Sequence, residues 1–477
     1  MPYWLIKWLP MATTALFVLA VGACVGSLIN VLVYRLPRGL DVVTPTSRCP
    51  SCGTKLTWRE NVPIFGWLLL RGRCRFCGVR ISPEYPLVEA IVAALFGGLF
   101  VLFYMVPSDA TLLGIPVGSI APEWARNGAA LTWPAFVVLA VLVGSLVAMT
   151  IIDARTCTIP LVLTWVPALT ALVFHVGHAA WFEHRYGPLT PSPANALPLP
   201  AGIGGSGFLW DTAAPRLDWY SASMSQPWTL ATGGFDAWRF IGVGIGGLVG
   251  LCVANLLLKT GLLRRSFADY EAWEAEALGP TRSDVDGGDG PDGHPTAMWI
   301  QYPHARREMV RELAFLAPVV VLGLAGGWLS VRLVEHFAGP WIVGAGGFST
   351  PPVDAPLWLV VLGGVAMGYL IGGGIVWGVR IFGTLAFGKE AMGLGDVHLM
   401  AAVGACLGWI DPVLAFFLAA FVGVGWAVLS KVAGGRLNRA MPYGPFLAVA
   451  TLLVVLGKPL IEVGLERLMP GVSVNLP

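Results

Sequence analysis

The chain contains a succession of apolar stretches of nearly membrane-spanning length: 12–34, 86–106, 131–152, 159–180, 238–258, 312–334, 357–380, 397–410, 412–432 and 443–461. A run of about 20 apolar residues reads as a helix crossing a bilayer. Inside lipid every backbone polar group must find a partner within the protein, which leaves helices as the natural solution. Stretch 397–410 is short for a crossing. The last stretch is interrupted by Lys458 and Pro459. The expectation is therefore roughly eight to ten spans. Only 12% of the residues are charged, about half the share in ordinary globular domains. The expected fold class is an all-α polytopic membrane protein with a small loop domain between its first two spans. The lipid bilayer is its surroundings, and no nucleic-acid partner is expected.

Basic residues orient the spans. Loop 35–85 carries Arg35, Arg38, Arg48, Lys55, Arg59, Arg71, Arg73, Arg75 and Arg80, so the positive-inside rule makes it cytoplasmic and the N-terminus external. Residues 11–34 read as an uncleaved anchor with its positive flank behind it. Alternation places 259–311 and 433–442 on the cytoplasmic side too, in agreement with Lys259, Arg264, Arg265, Arg306, Arg307, Arg311, Arg436 and Arg439. The expected organisation is a first span to residue 34, a cytoplasmic cysteine loop over 35–85, and spans over 86–180. An extracytoplasmic insertion over 181–237, a span at 238–258, a cytoplasmic acidic, Gly-rich insertion over 259–311 and further spans over 312–477 follow. Residues 181–237, rich in Pro, Gly, Ser and Trp with little periodicity, and 266–300, with the acidic Gly-rich run "SDVDGGDGPDGHP" that has no means of building a core, both read as flexible linkers.

Two acids stand out against this background. Asp153 ends the third span in "VAMTIIDARTCTIP", and Asp396 follows a Gly-Leu-Gly turn in "EAMGLGDVHLMAAVGACLGW". Ionisable residues at membrane depth usually face a cavity or a partner. Both fall at the cytoplasmic ends of spans. Two carboxyl groups a few ångström apart do not both ionise, so one serves as acid and the other as base. Such a pair can activate water against a peptide bond. Gly393 and Gly395 remove side chains beside Asp396, allowing backbone to approach closely. A solvated helix cap is the plainer account of either acid alone, and Arg155 is near enough in sequence to pair with Asp153.

Loop 35–85 also holds two Cys-x-x-Cys pairs, Cys49 with Cys52 and Cys74 with Cys77. Two thiolate pairs at this separation can close a tetrahedral zinc site. Gly53 and Gly78 follow each pair, where a positive φ is often wanted. A reducing compartment disfavours disulfides, and four thiolates would leave zinc no open position. The metal would be structural. Cys24, Cys157, Cys252 and Cys406 are scattered in apolar surroundings and read as packing residues.

Taken in order, these segments resemble the prepilin peptidase family, the GxGD-type membrane aspartic proteases of type IV pilus and type II secretion systems. "GSLINVLVYRLPRG" resembles that family's first span and exit, and "CPSCGTKLTWRENVPIFGWLLLRGRCRFCGVRISPEYPLVE" its cysteine domain. "IIDARTCTIP" and "EAMGLGDVHLMAAVGACLGW" resemble its two aspartate motifs, and "MPYGPFLAVA" its closing motif. The resemblance implies Asp153 and Asp396 as catalytic residues and a prepilin or pseudopilin as substrate. It implies cleavage after the Gly that ends a basic leader, at the inner face of a bacterial cytoplasmic membrane. It also implies N-methylation of the new N-terminus with S-adenosylmethionine, for which no Gly-rich nucleotide loop gives separate support. Leu161 and His398 stand where the family often has Asp and Lys. Two other classes compete. An ion- or proton-coupled transporter would use the acids but leave the cysteine loop without a task. A membrane thiol oxidoreductase would use the cysteines and leave the acids idle.

Overall fold

The computed structural model describes residues 3–44, 47–49, 51–111, 117–186, 237–270, 273, 302–343, 349–432 and 442–468. Most of both predicted insertions, and Arg436, Arg439 and Met441, lie outside the described residues.

Each apolar stretch forms a helix. The long helices are α1 (Tyr3–Arg35), α2 (Glu84–Tyr104), α3 (Ala129–Thr156), α4 (Leu161–Tyr186), α5 (Ala237–Lys259), α6 (Ala305–Ala338) and α7 (Leu357–Phe387). A shorter helix α8 (Leu394–Leu407) precedes α9 (Ile410–Val432) and α10 (Gly444–Leu468). Nine of these, among the described residues, are long and apolar enough to cross a membrane. The described strands amount to one two-residue antiparallel ladder, Ile342–Val343 on Ser349–Thr350.

The bundle has a closely packed apolar interior and an apolar exterior. Val92, Val138, Leu142, Ala148, Leu399 and Met400 are fully buried, whereas Phe17, Phe382 and Phe421 are strongly exposed. That is the distribution expected where the surrounding solvent is hydrocarbon. Without a hydrophobic drive between helices, close packing of small residues draws them together. The clearest case is α7 on α8. A Cβ on Gly368 would strike the Gly404 carbonyl, and a Cβ on Gly404 would strike the Gly368 carbonyl. Backbones in such contact admit glycine alone.

α8 has 14 residues and is about 21 Å long at 1.5 Å per residue, short of a hydrocarbon core about 30 Å thick. It ends at Gly408, whose φ of 89° turns the chain directly into α9. The reversal therefore falls inside the bundle and carries Asp411 with it. Asp411 is buried, and its carboxylate lies 3.2 Å from the Lys458 ammonium on α10. The lysine that interrupts the final apolar run is the counterion of this acid.

The described ends of the second insertion are ordered. The rings of Phe267, Tyr270, Trp273 and Tyr302 form a cluster with centroids 5.0–6.1 Å apart. The linker reading of 266–300 does not extend to Phe267, Tyr270 and Trp273, which with Tyr302 pack as part of the main hydrophobic core. The Tyr302 hydroxyl donates to Asp269 at 2.7 Å and holds that carboxyl below its ordinary range.

Candidate active site

α3 ends one turn after Asp153. Cys157 adopts the left-handed conformation (φ 50°) and its N–H closes on the Asp153 carbonyl at 2.8 Å. The chain then passes through Ile159 and Pro160 into α4. This reversal leaves the Asp153 side chain aimed at the start of α10, where the Gly444 N–H donates to Asp153 Oδ2 at 3.1 Å. Helix N-termini present unpaired N–H groups and a positive dipole end, so an acid is well placed there. A Cβ on Gly444 would lie 2.5 Å from that same carboxylate oxygen; only glycine allows this approach.

Asp396 occupies the first turn of α8, behind Gly393 in extended conformation (φ −72°, ψ 148°). Its carboxylate turns back toward the Gly393 backbone and feels the charges of Asp153 and Arg380. Both acids are largely buried, 5% exposed for Asp153 and 8% for Asp396. Ile159 packs between their supports. Its Cβ would lie 2.9 Å from a Cβ on Gly395, and its Cδ1 3.2 Å from one on Gly444. The two glycines of the turn thus differ. Gly395 is required by close approach to Ile159, while a Cβ on Gly393 would meet nothing nearer than 3.7 Å.

Arg155 does not pair with Asp153. Its guanidinium joins Glu84 at the start of α2. That ion pair fastens the Asp153 end of α3 to the end of the bundle from which the cysteine loop leaves. The starts of α8 and α10 reach the same end, so it is called here the carboxylate end.

Arg380 is the cation that reaches Asp396, and it is buried on α7. Its Nε donates to Glu312 Oε1 on α6 at 3.2 Å, and its Nη1 donates to Glu390 Oε1 and to the Met392 carbonyl. Glu312 also accepts from the Trp377 indole and the Ser266 hydroxyl. The guanidinium lies 4.9 Å from the centre of the Phe267 ring. The segment leading to Asp396 is thereby tied to two neighbouring helices. The Tyr302 N–H adds a further tie, donating to the Gly388 carbonyl at 2.6 Å. Sequence reasoning singled out neither Arg380 nor Gly444 for this site. A cation inside an apolar run, and a glycine opening the last helix, were the available signals.

The four predicted cysteines converge. The sulfurs of Cys49, Cys52, Cys74 and Cys77 all lie within 4.8 Å of one another, with Cys49 Sγ 3.9 Å from Cys77 Sγ. A tetrahedral thiolate site with metal–sulfur bonds of about 2.3 Å needs sulfurs about 3.8 Å apart. Each pair sits in a matching knuckle. The Gly53 N–H closes on the Cys49 carbonyl and the Gly78 N–H on the Cys74 carbonyl, both at 2.9 Å. Gly53 and Gly78 take φ of 68° and 71°. Cys52 is pushed down to about 6, first by its hydrogen bond with the Thr54 hydroxyl and then by the Thr54 backbone. The donor set and its spacing fit a thiolate-loving metal.

Residues 20–103 match the family described as the Bacterial Peptidase A24 N-terminal domain. A protein of Myxococcus xanthus (strain DK1622) named Prepilin leader peptidase/N-methyltransferase is 52% identical over 82 residues, covering 17% of this chain and 24% of that protein. A Klebsiella pneumoniae protein of the same name is 43% identical over 86 residues, 17% of this chain and 38% of its own. One from Aeromonas hydrophila is 32% identical over 181 residues, 32% of this chain and 51% of its own. The chain thus spans between about a quarter and about half of the length of these relatives. No solved structure matches it.

Proposed function

We propose that this chain, whose residues 20–103 match the bacterial Peptidase A24 N-terminal domain, is a multi-pass aspartic endopeptidase of a bacterial inner membrane. It cuts the basic leader of type IV prepilins or type II secretion pseudopilins after the leader's final Gly, at the cytoplasmic face, and N-methylates the new N-terminus with S-adenosylmethionine. The observation that carries this reading is the convergence of Asp153 and Asp396. They come from α3 and α8, sit buried at one end of the bundle, and are joined through Ile159, which packs against Gly395 beside Asp396 and against Gly444, the donor to Asp153. A pair of carboxyl groups sharing one proton supplies both parts of peptide hydrolysis. The ionised member draws a proton from water as it attacks the scissile carbonyl. The protonated member donates to that carbonyl oxygen, and the leaving amine recovers a proton as the C–N bond breaks. No covalent intermediate is needed. The methyl transfer rests on the name shared by the relatives.

Purified protein in lipid nanodiscs should cut a prepilin segment after its Gly and leave one with Ala at that position intact. Labelled S-adenosylmethionine should then mark the new amine. A protein that inserts and yields no cut product removes the peptidase reading, and a cut but unlabelled product removes the methylation.

Zinc in the four-thiolate site would hold the loop together. Cys49, Cys52, Cys74 and Cys77 fill all four positions of a closed structural site, which leaves none for substrate. Elemental analysis should find one zinc per chain. Cys49→Ser with Cys74→Ser should lose it and expose 35–85 to protease, while Cys24→Ser should retain it. A chain that stays metal-free after expression in zinc-replete medium would overturn this assignment.

A further inference from the structure

Within the cysteine loop, Phe65–Leu69 forms a single helical turn. One face of it is used inside the loop. Gly66 is packed on the Glu60 carbonyl, and the Trp67 indole donates to the Ile81 carbonyl at 3.1 Å. That contact fixes what the opposite face presents. Phe65, Leu68 and Leu69, at i, i+3 and i+4, share a side and are 63%, 55% and 80% exposed. Three large apolar side chains side by side on a short turn call for a partner.

The level at which this turn hangs identifies that partner. Its entry is tethered by the Ile64 N–H, which donates to Glu89 Oε2 at 2.6 Å. Glu89 is not at the tip of α2 but more than one turn into it, buried where its Cα abuts Gly26 of α1. Gly26 in turn lies more than two turns before the end of α1. The charges that mark the end of the spans lie beyond this level on the side of the cysteine loop: Arg35 comes after Gly26 on α1, and Glu84, paired with Arg155, comes before Glu89 on α2. The turn therefore lies beside the ends of α1 and α2, at the level of the bilayer surface. Arg59, Arg71 and Arg73 flank it in sequence and are exposed, and such side chains favour anionic headgroups.

We infer that Phe65–Leu69 is a bilayer-surface anchor. It inserts Phe65, Leu68 and Leu69 into the leaflet at the carboxylate end and sets Arg71 and Arg73 on anionic lipid. The anchor holds the cysteine loop down on the membrane next to the span ends. Arrangements of this kind, an apolar face beside basic residues, bind through buried apolar area and attraction to anionic lipid together.

A small fluorescent amino acid encoded at position 69 of the full-length protein, in nanodiscs containing phosphatidylglycerol, tests this. Position 51, exposed on the first cysteine knuckle, is the reference. Lipids brominated in their acyl chains should quench position 69 at least twofold more than position 51, and aqueous iodide should show the reverse preference. Arg71→Gln with Arg73→Gln should weaken the lipid quenching at position 69. Equal iodide quenching at both positions would place the face in water. Protection of position 69 from both quenchers would place it against protein. Either result overturns the anchor, and neither depends on whether the chain cuts prepilins.

Discussion

Asp396→Asn is expected to lower the rate of leader cleavage by about 10³-fold or more, the scale of losing a positioned acid or base, while the protein inserts and folds as before. Asparagine keeps the shape of the side chain and its hydrogen bonding toward the Gly393 backbone but cannot exchange the proton. Asp153→Asn should do the same, because an amide oxygen still accepts the Gly444 N–H. If the two acids act as one unit, their losses will not multiply. The double variant should be about as slow as either single one. Rates of cleavage of a prepilin segment, with thermal stability measured alongside, check this. Normal cutting by either variant would take that carboxylate out of the dyad. A single-variant loss accompanied by unfolding would instead make it a structural acid.

Arg380→Met is expected to destabilise the protein by about 3–5 kcal/mol, the usual cost of removing one partner from a buried charge network. Glu312 would keep its indole and hydroxyl donors but lose its counterion, and Glu390 would lose its hold on α7. The segment 388–393 would lose its Glu390 and Met392 ties to α7 and keep only the bonds of Gly388 and Ala391 to Thr384, which loosens the approach to Asp396. Cleavage should therefore fall through kcat more than KM. Arg380→Lys should recover part of the stability and little of the rate, because one ammonium does not span Glu312, Glu390 and the Met392 carbonyl at once. Adding Glu312→Gln to Arg380→Met should recover stability by removing an uncompensated charge. Unfolding in detergent and steady-state kinetics separate these effects. Wild-type kinetics in a stable Arg380→Met protein would show that the clamp does not position Asp396.

The helices were legible because their cause is local. Apolar runs of spanning length have few other folded solutions, and the stretch that looked too short, 397–410, is the 14-residue helix α8. The cysteine cluster was legible for a related reason. A Cys-x-x-Cys turn builds half a site from its own backbone, and only the meeting of the two halves had to be inferred. The ion pairs were less legible. Arg155 stands two residues from Asp153 yet reaches across to Glu84 on α2, since neighbours in a helix point in different directions. Lys458 looked like a flaw in the last span and is the partner of Asp411.

Residue order alone determined that this chain becomes a bundle of apolar helices with a four-cysteine loop on one side, and it placed two acids at the ends of helices. Those outcomes follow from hydrophobic run length, turn chemistry and side-chain type, which act over a few residues at a time. Only the tertiary structure decided what surrounds the acids: Gly444 donating to Asp153, Ile159 wedged against Gly395, and Arg380 gripping the approach to Asp396. Such contacts join segments far apart along the chain. They depend on how closely helices approach and rotate, and no local pattern of residues encodes that distance.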